Sequence, residues 1–439
     1  MWWSFVAPAV AAGPFVVGHV DRRFQDPVAQ RVDTRVYFPA TAPGAGAEPD
    51  LSAGPYPLAV FLHGWLGQAW MYDAVCEELA SWGYVVVSLD TETGLILDMD
   101  DFADDGVAAL HGVEAAAADP ADPLAGMVSG ADWTAMGHSM GGATLSHLVG
   151  LEPRIRTAVA FMPYEGWPAY YRELGAWDGA YLLLSGTNDT TAPVALQREW
   201  FVAAEATRRS LWVTVTGMGH QAPTDLTSNE DPMPDDVQRD VVSRLASTFV
   251  RAEHGGEEDL WAELIGPGTD ALDATFASRS HEPALWATLD AGVVDLGVAG
   301  PYDAAGEVFF GSAPTEDGLA DAVSAGALDL ATGVARATVP VPAGWAGDLY
   351  VRVRTEGDDG PAWTRPVPLI TGTPVDAPDD TGTPPTTGAP DPTDPTATDP
   401  TATDPAPDRP RRDDPSGCAT GPSGGPWALA ALLLLRRRR

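Results

Sequence analysis

Seven short apolar runs rich in β-branched residues, at 32–38, 58–62, 84–89, 133–136, 157–162, 181–185 and 211–216, punctuate the first half of the chain. Between and after them, apolar positions recur at three- and four-residue intervals, which predicts helices over 71–82, 102–118, 140–151, 193–207 and 235–253. Strands that are apolar along their whole length must be covered on both faces, and helices between them supply the covers. The pattern therefore predicts an α/β domain over residues 14–254, built on a mostly parallel sheet with helices on both faces. Beyond residue 254 the rhythm changes to short alternating segments at 286–289, 293–298, 307–310, 335–341 and 349–354, punctuated by Gly and Pro. This spacing predicts a small β-sandwich-like domain over 255–370. It carries no catalytic grouping; it reads as a spacer, or as a module that touches a surface or a polymer.

The ends differ in kind. Residues 371–415 are nearly all Pro, Thr, Asp, Gly and Ala, with TATDP repeated at 396–400 and 401–405, and are expected to form a disordered, extended stalk. Residues 416–439 hold Cys418, a Gly/Ser/Pro turn, an apolar run at 427–435 and four terminal arginines. Nine apolar residues are too short to span a bilayer. Residues 1–13 are apolar and contain Ala-Val-Ala, but lack a positive start; a truncated export signal and a segment packed on the domain both fit.

Charge narrows the function. The 62 acidic residues against 25 basic ones leave a net charge of −37, which repels nucleic-acid phosphates and anionic membranes alike. Membrane contact is expected only through the C-terminal tail. Every cation is an arginine, so Schiff-base lysine chemistry and the P-loop lysine are excluded. Two cysteines, Cys76 and Cys418, make neither a disulfide framework nor a cysteine-built zinc site. The acidic residues Asp98, Asp100, Asp101, Asp104 and Asp105 lack the glycine and terminal glutamate of a calcium loop and read as a solvated helix start.

Candidate chemistry lies at the strand ends. Gly137-His138-Ser139-Met140-Gly141-Gly142 follows an apolar strand and opens a helix, the context in which G-x-S-x-G lifts a serine above the sheet on a tight turn. A serine hydroxyl is a weak nucleophile near neutral pH and requires a base held in place by a third group. His220, on the glycine-rich loop after the last strand of the α/β domain, is the expected base, and Asp189, after the strand at 181–185, is the expected orienting carboxylate. Alone, Asp189 also reads as a loop or helix cap, and His220 as a solvated loop histidine. Amides that stabilise the oxyanion are expected from Met140 and, after the strand at 58–62, from Trp65. His63 is expected to shape that loop, His138 to support the turn, and His147 to pack or face solvent. Cys76 reads as a small buried residue. No metal or cofactor is required by this chemistry.

The stretches FLHGWLG (61–67), ASWGYVVVSLDTET (80–93), AMGHSMGGA (135–143), MPYE (162–165) and SGTNDTTAPV (185–194), with Gly217–His220, resemble the α/β-hydrolase superfamily. The resemblance is to its dienelactone-hydrolase-like branch, which contains cutinase-like and PET-type polyester hydrolases. It covers most of residues 30–250 and implies Ser139 as nucleophile, Asp189 and His220 as its partners, and Trp65 and Met140 as the oxyanion hole. It also implies Trp65 and Tyr164 as aromatic walls of a substrate cleft; read by themselves, Tyr164 and Trp167 fit core or rim aromatics equally well. The chain departs from that group in lacking a late disulfide within the domain and in its long acidic segment 221–236. The function expected is a serine carboxylic-ester hydrolase acting on small or polymeric neutral, hydrophobic esters. A lipase or phospholipid acetylhydrolase, and a surface-binding protein that uses the fold without turnover, are the alternatives. The C-terminal segment resembles sorting signals of bacterial surface proteins, the myxobacterial type above all. That implies sorting machinery as a partner, processing near Cys418 and a secreted, surface-tethered protein; a plain hydrophobic tail anchor is the alternative reading of the segment, and both place the protein outside the cytoplasm.

Overall fold

The computed structural model describes residues 13–25, 30–95, 98–164, 173–226, 231–316, 318–345, 347–358 and 360–370. The expected stalk and sorting segment, nearly all of the N-terminal segment, and Trp167 lie outside the described residues. The strands of the first half are β1 (Val17–Gln25), β2 (Arg31–Pro39), β3 (Gly44–Ala45), β4 (Tyr56–Leu62), β5 (Val85–Leu89), β6 (Val128–His138), β7 (Ile155–Phe161), β8 (Ala180–Gly186) and β9 (Arg209–Val215). With β10 (Ala274–Ala277) they form one sheet in the order β10-β9-β8-β7-β6-β4-β5-β2-β1-β3. The run from β5 through β4 to β9 is parallel, and antiparallel pairs β5–β2, β2–β1 and β9–β10 close it at both sides.

Alternation within the apolar runs shows why they had to be buried on both faces. In β4, Leu58, Val60 and Leu62 enter one core while Ala59 and Phe61 enter the other. The first core is covered by α2 (Met99–Ala118), α3 (Met140–Leu151) and α4 (Val194–Ala203); the second by α1 (Asp73–Ser81), α5 (Asp235–Glu253) and α6 (Trp261–Ile265). This is an α/β-hydrolase-type sheet with helices on both faces. The helix expected from 102 starts three residues earlier because Asp98 caps it, its carboxylate accepting the Asp100 N–H at 2.9 Å. Strand β1 gave no apolar signal: VGHVDRRFQ lies near the sheet edge, and its charges pair across to β2, as in Arg23–Asp33 and Arg35–Asp21.

The expected limit at residue 254 coincides with the end of neither the sheet nor its core. Trp261, Leu264 and Ile265 are buried in the α5 core, and the Trp261 ring meets Phe249 edge-on at 6.1 Å. Strand β9 begins with Arg209 and Ser210, polar yet buried, because later residues satisfy them. Ser210 exchanges bonds with Ser280 and Arg279, and Arg209 ion-pairs with Glu253 at 2.8 Å and Glu258 at 3.2 Å.

The remaining strands are β11 (Ala284–Asp290), β12 (Val293–Ala299), β13 (Ala304–Gly311), β14 (Ala313–Thr315), β15 (Gly318–Ala320), β16 (Val323–Leu330), β17 (Val334–Pro340), β18 (Leu349–Gly357), β19 (Gly360–Trp363) and β20 (Val367–Ile370). A three-stranded sheet β11-β12-β17 and a sheet β16-β13-β18-β19, with β20 also paired to β18, enclose a core of Val294, Leu296, Val298, Phe310, Val351 and Val353 among others. Arg336 of β17 donates to the Ile265 carbonyl at 2.7 Å and ion-pairs with Asp270, fastening this part to the turn after α6.

Candidate active site

After β4 the chain supplies β5 on one side, then returns to place β6 on the other. Open α/β sheets form a crevice at such a reversal, beyond the carboxyl ends of the strands. The loops after β4 and β6 are the ones that carry Trp65 and Ser139.

Ser139 is the single residue between β6 and α3, with φ 54° and ψ −115°. A non-glycine residue held there is strained and must be fixed by its neighbours. Its N–H donates to the Phe161 carbonyl at 2.9 Å, and its carbonyl accepts from the amides of Ala143 and Tyr164, both at 3.0 Å. The flanking glycines admit no side chain: a Cβ on Gly137 would lie 2.5 Å from the Gly141 carbonyl oxygen, and one on Gly141 2.2 Å from that of Leu62. Gly141→Ala is accordingly expected to lower stability by on the order of 3 kcal/mol, read as a drop in the thermal midpoint.

The three residues expected to act together do meet. His220 Nε2 lies 2.9 Å from Ser139 Oγ, and His220 Nδ1 lies 2.8 Å from Asp189 Oδ2. An ionised carboxylate only accepts, so Nδ1 carries the proton and Nε2 is left to accept from the hydroxyl. The Asp189 side chain is fully buried. Its Oδ1 takes the N–H groups of Thr191 at 2.9 Å and Ala192 at 2.7 Å, and its Oδ2 takes Gln197 Nε2 at 3.3 Å as well as the histidine. Met140 opens α3, where an amide has no intrahelical acceptor. Gly64 approaches the serine so closely that a Cβ there would lie 3.3 Å from Ser139 Cβ, which brings the following residue, Trp65, to the site. Trp65 and Tyr164 are 42% and 40% exposed, so both belong to the rim rather than the core.

Several supporting residues lie outside the sequence motifs. Gln197 lies on the buried side of α4 with Trp200 and Phe201, at positions i, i+3 and i+4. Its amide also donates to the Ala192 carbonyl, and its oxygen takes the Ser185 hydroxyl at 2.6 Å. A glutamine in an apolar stripe was the available signal. Asp231 and Gln238 brace the residues just before the acid and the base: Asn188 Nδ2 donates to Asp231 at 2.5 Å, and the Gly219 N–H donates to Gln238 at 2.8 Å. The acidic segment after the histidine is thus used structurally; Asp225 also accepts the Ala74 N–H at 3.2 Å, at the start of α1.

The other candidates take the places expected of them. Both ring nitrogens of His63 lie 2.7 Å from backbone carbonyls, those of Gly64 and Thr91, within its own loop and the one beside it. His138 is buried behind the turn, its ring 4.8 Å from that of His220. His147 sits on α3, half-buried, 3.7 Å from Asp100. Cys76 is fully buried, and burial pushes its thiol well above the ordinary range, which keeps it protonated. Among the described residues, no three His, Cys, Asp or Glu side chains converge as metal ligands would.

A doubly wound sheet with a strained serine between strand and helix, and an acid and a histidine delivered from later strands, defines the chain as an α/β-hydrolase-type protein. The model of the PET hydrolase-like family matches residues 12–245, just over half of the chain, and the chain belongs to that family. It is an ester hydrolase of the α/β-hydrolase type. None of the curated proteins compared with the chain matches it.

Proposed function

We propose that the protein is a serine carboxylic-ester hydrolase in which Ser139, His220 and Asp189 form the catalytic triad. The observation that carries this reading is the continuous hydrogen-bond chain from Ser139 Oγ through both nitrogens of His220 to Asp189, with the serine held in a strained conformation at the end of β6. As Oγ attacks the ester carbonyl carbon, its proton passes to His220 Nε2. The carbonyl oxygen takes the negative charge and is met by the amides of Met140 and Trp65; each such donor contributes about 3 to 4 kcal/mol to the transition state. Collapse expels the alcohol, which takes the proton from Nε2 and leaves an acyl-Ser139. Water then repeats the cycle and releases the acid. Asp189 keeps the imidazole in the required tautomer and stabilises the imidazolium.

The half-exposed rings of Trp65 and Tyr164, on a chain of strongly negative charge, favour neutral, hydrophobic acyl groups or polymer segments over anionic ones. We place the protein outside the cytoplasm, tethered through residues 416–439, on the sequence pattern described above. A fluorophosphonate probe tests the catalytic reading: labelling is expected at Ser139, located by peptide mass spectrometry, together with hydrolysis of a short-chain nitrophenyl ester. A folded chain that neither labels nor turns over would instead favour a binding protein on this fold. A graded series of ester chain lengths and a polyester film separate an esterase or polyesterase from a lipase.

A further inference from the structure

The base and the oxyanion loop stand on strands separated in the sheet, since β4 carries the loop and β9 the histidine, with β6, β7 and β8 between. A second hydrogen-bond chain joins them directly. The Gly64 N–H donates to Tyr72 Oη at 2.9 Å, Tyr72 Oη lies 2.9 Å from His138 Nδ1, and His138 Nε2 lies 2.8 Å from the His220 carbonyl oxygen.

One proton arrangement satisfies every member. A carbonyl only accepts, so His138 Nε2 carries the hydrogen and donates to His220; the bare Nδ1 then accepts the Tyr72 hydroxyl, whose oxygen accepts from Gly64. Burial and the neighbouring His220 hold the His138 imidazole well below its ordinary pKa, which keeps it neutral, and burial raises the Tyr72 phenol, which keeps its proton. Both side chains are almost wholly enclosed. The chain begins one residue before the Trp65 amide and ends on the backbone of the base.

Building on the catalytic reading above, we infer that Tyr72 and His138 are positioning residues: they fix the oxyanion loop and the His220 backbone relative to one another, so that the base and the oxyanion donors are aligned by one relay. Neither touches substrate. A pure packing role would require the shapes of the two side chains but not the direction of their hydrogen bonds.

That difference sets the test, made on the full chain with a short-chain nitrophenyl ester. Tyr72→Phe keeps the ring and removes the hydroxyl; kcat is expected to fall about 10- to 100-fold, with KM within about twofold, because misplacement acts on the reacting geometry. His138→Leu is expected to do the same. In His138→Gln the amide can donate to the His220 carbonyl and its oxygen can accept from Tyr72, so kcat is expected to stay within about fivefold of the parent. Unchanged kcat in Tyr72→Phe, a rise in KM alone, or a Gln variant as slow as the Leu one would each overturn the relay. If His138→Leu does not fold, Tyr72→Phe and His138→Gln against the parent decide the matter. Turnover that survives Ser139→Ala would instead remove the catalytic reading itself, whereas Ser139-dependent turnover indifferent to Tyr72 and His138 removes only the relay.

Discussion

Ser139→Ala is expected to lower kcat on a nitrophenyl ester by about 10⁴- to 10⁶-fold while leaving the thermal midpoint where it was. The oxyanion donors and the rim would persist, but no atom would remain to form the acyl-enzyme. Ser139→Gly separates chemistry from strain. At φ 54° and ψ −115° a side chain is crowded by the backbone, and glycine alone is at ease there. Relief of that strain is of order 1–3 kcal/mol, partly offset by the greater freedom of glycine in the unfolded chain, so a net gain of about 1 kcal/mol is expected alongside complete loss of turnover. Calorimetry and initial rates on the two variants check both halves. Substantial turnover in either variant removes Ser139 as nucleophile; a glycine variant that melts lower would show that the serine side chain is needed to hold its own turn.

The second large effect concerns residues beyond the α/β pattern. A chain ending at His254 is expected to be insoluble or to lack a cooperative melt, whereas one ending at Ile370 is expected to fold and turn over substrate. Truncation at His254 strips Trp261, Leu264 and Ile265 from the face of α5, all buried in the same core as Phe249 and Val250. Loss of each such side chain costs about 2–5 kcal/mol, and the sum approaches the whole stability of an ordinary domain, about 5–15 kcal/mol. It also leaves Arg209 without Glu258, and Ser210 without Ser280. Expression of the two truncations, followed by circular dichroism and activity, decides. A soluble, fully active 14–254 fragment would show that these contacts are dispensable.

The elements that could be read from sequence are those whose environment is uniform. Runs such as Leu58–Ala59–Val60–Phe61–Leu62 are buried on both faces, so composition alone reveals them. The serine, acid and histidine were legible because each follows such a run. Tyr72, Gln197, Asp231 and Gln238 were not, because their meaning depends on partners 5 to 66 positions away that only the fold brings near. The same holds at residue 254, where the change of pattern marks a change in strand length and direction, while burial continues through Trp261 and Ile265. The half-exposed β1 and the four-residue β10 carry too little apolar alternation to announce themselves.

The pairing of β10 with β9 also sets an order of events during synthesis. The outer rim of β9, which ends at Val215, has no β10 partner until Ala274, which pairs with Val215, has been made, 59 residues later (274 − 215). In that interval a nascent chain exposes a row of unsatisfied amides and carbonyls beside apolar side chains, an arrangement that invites association with other chains. The last strand to join the sheet is therefore the one that closes it to strangers.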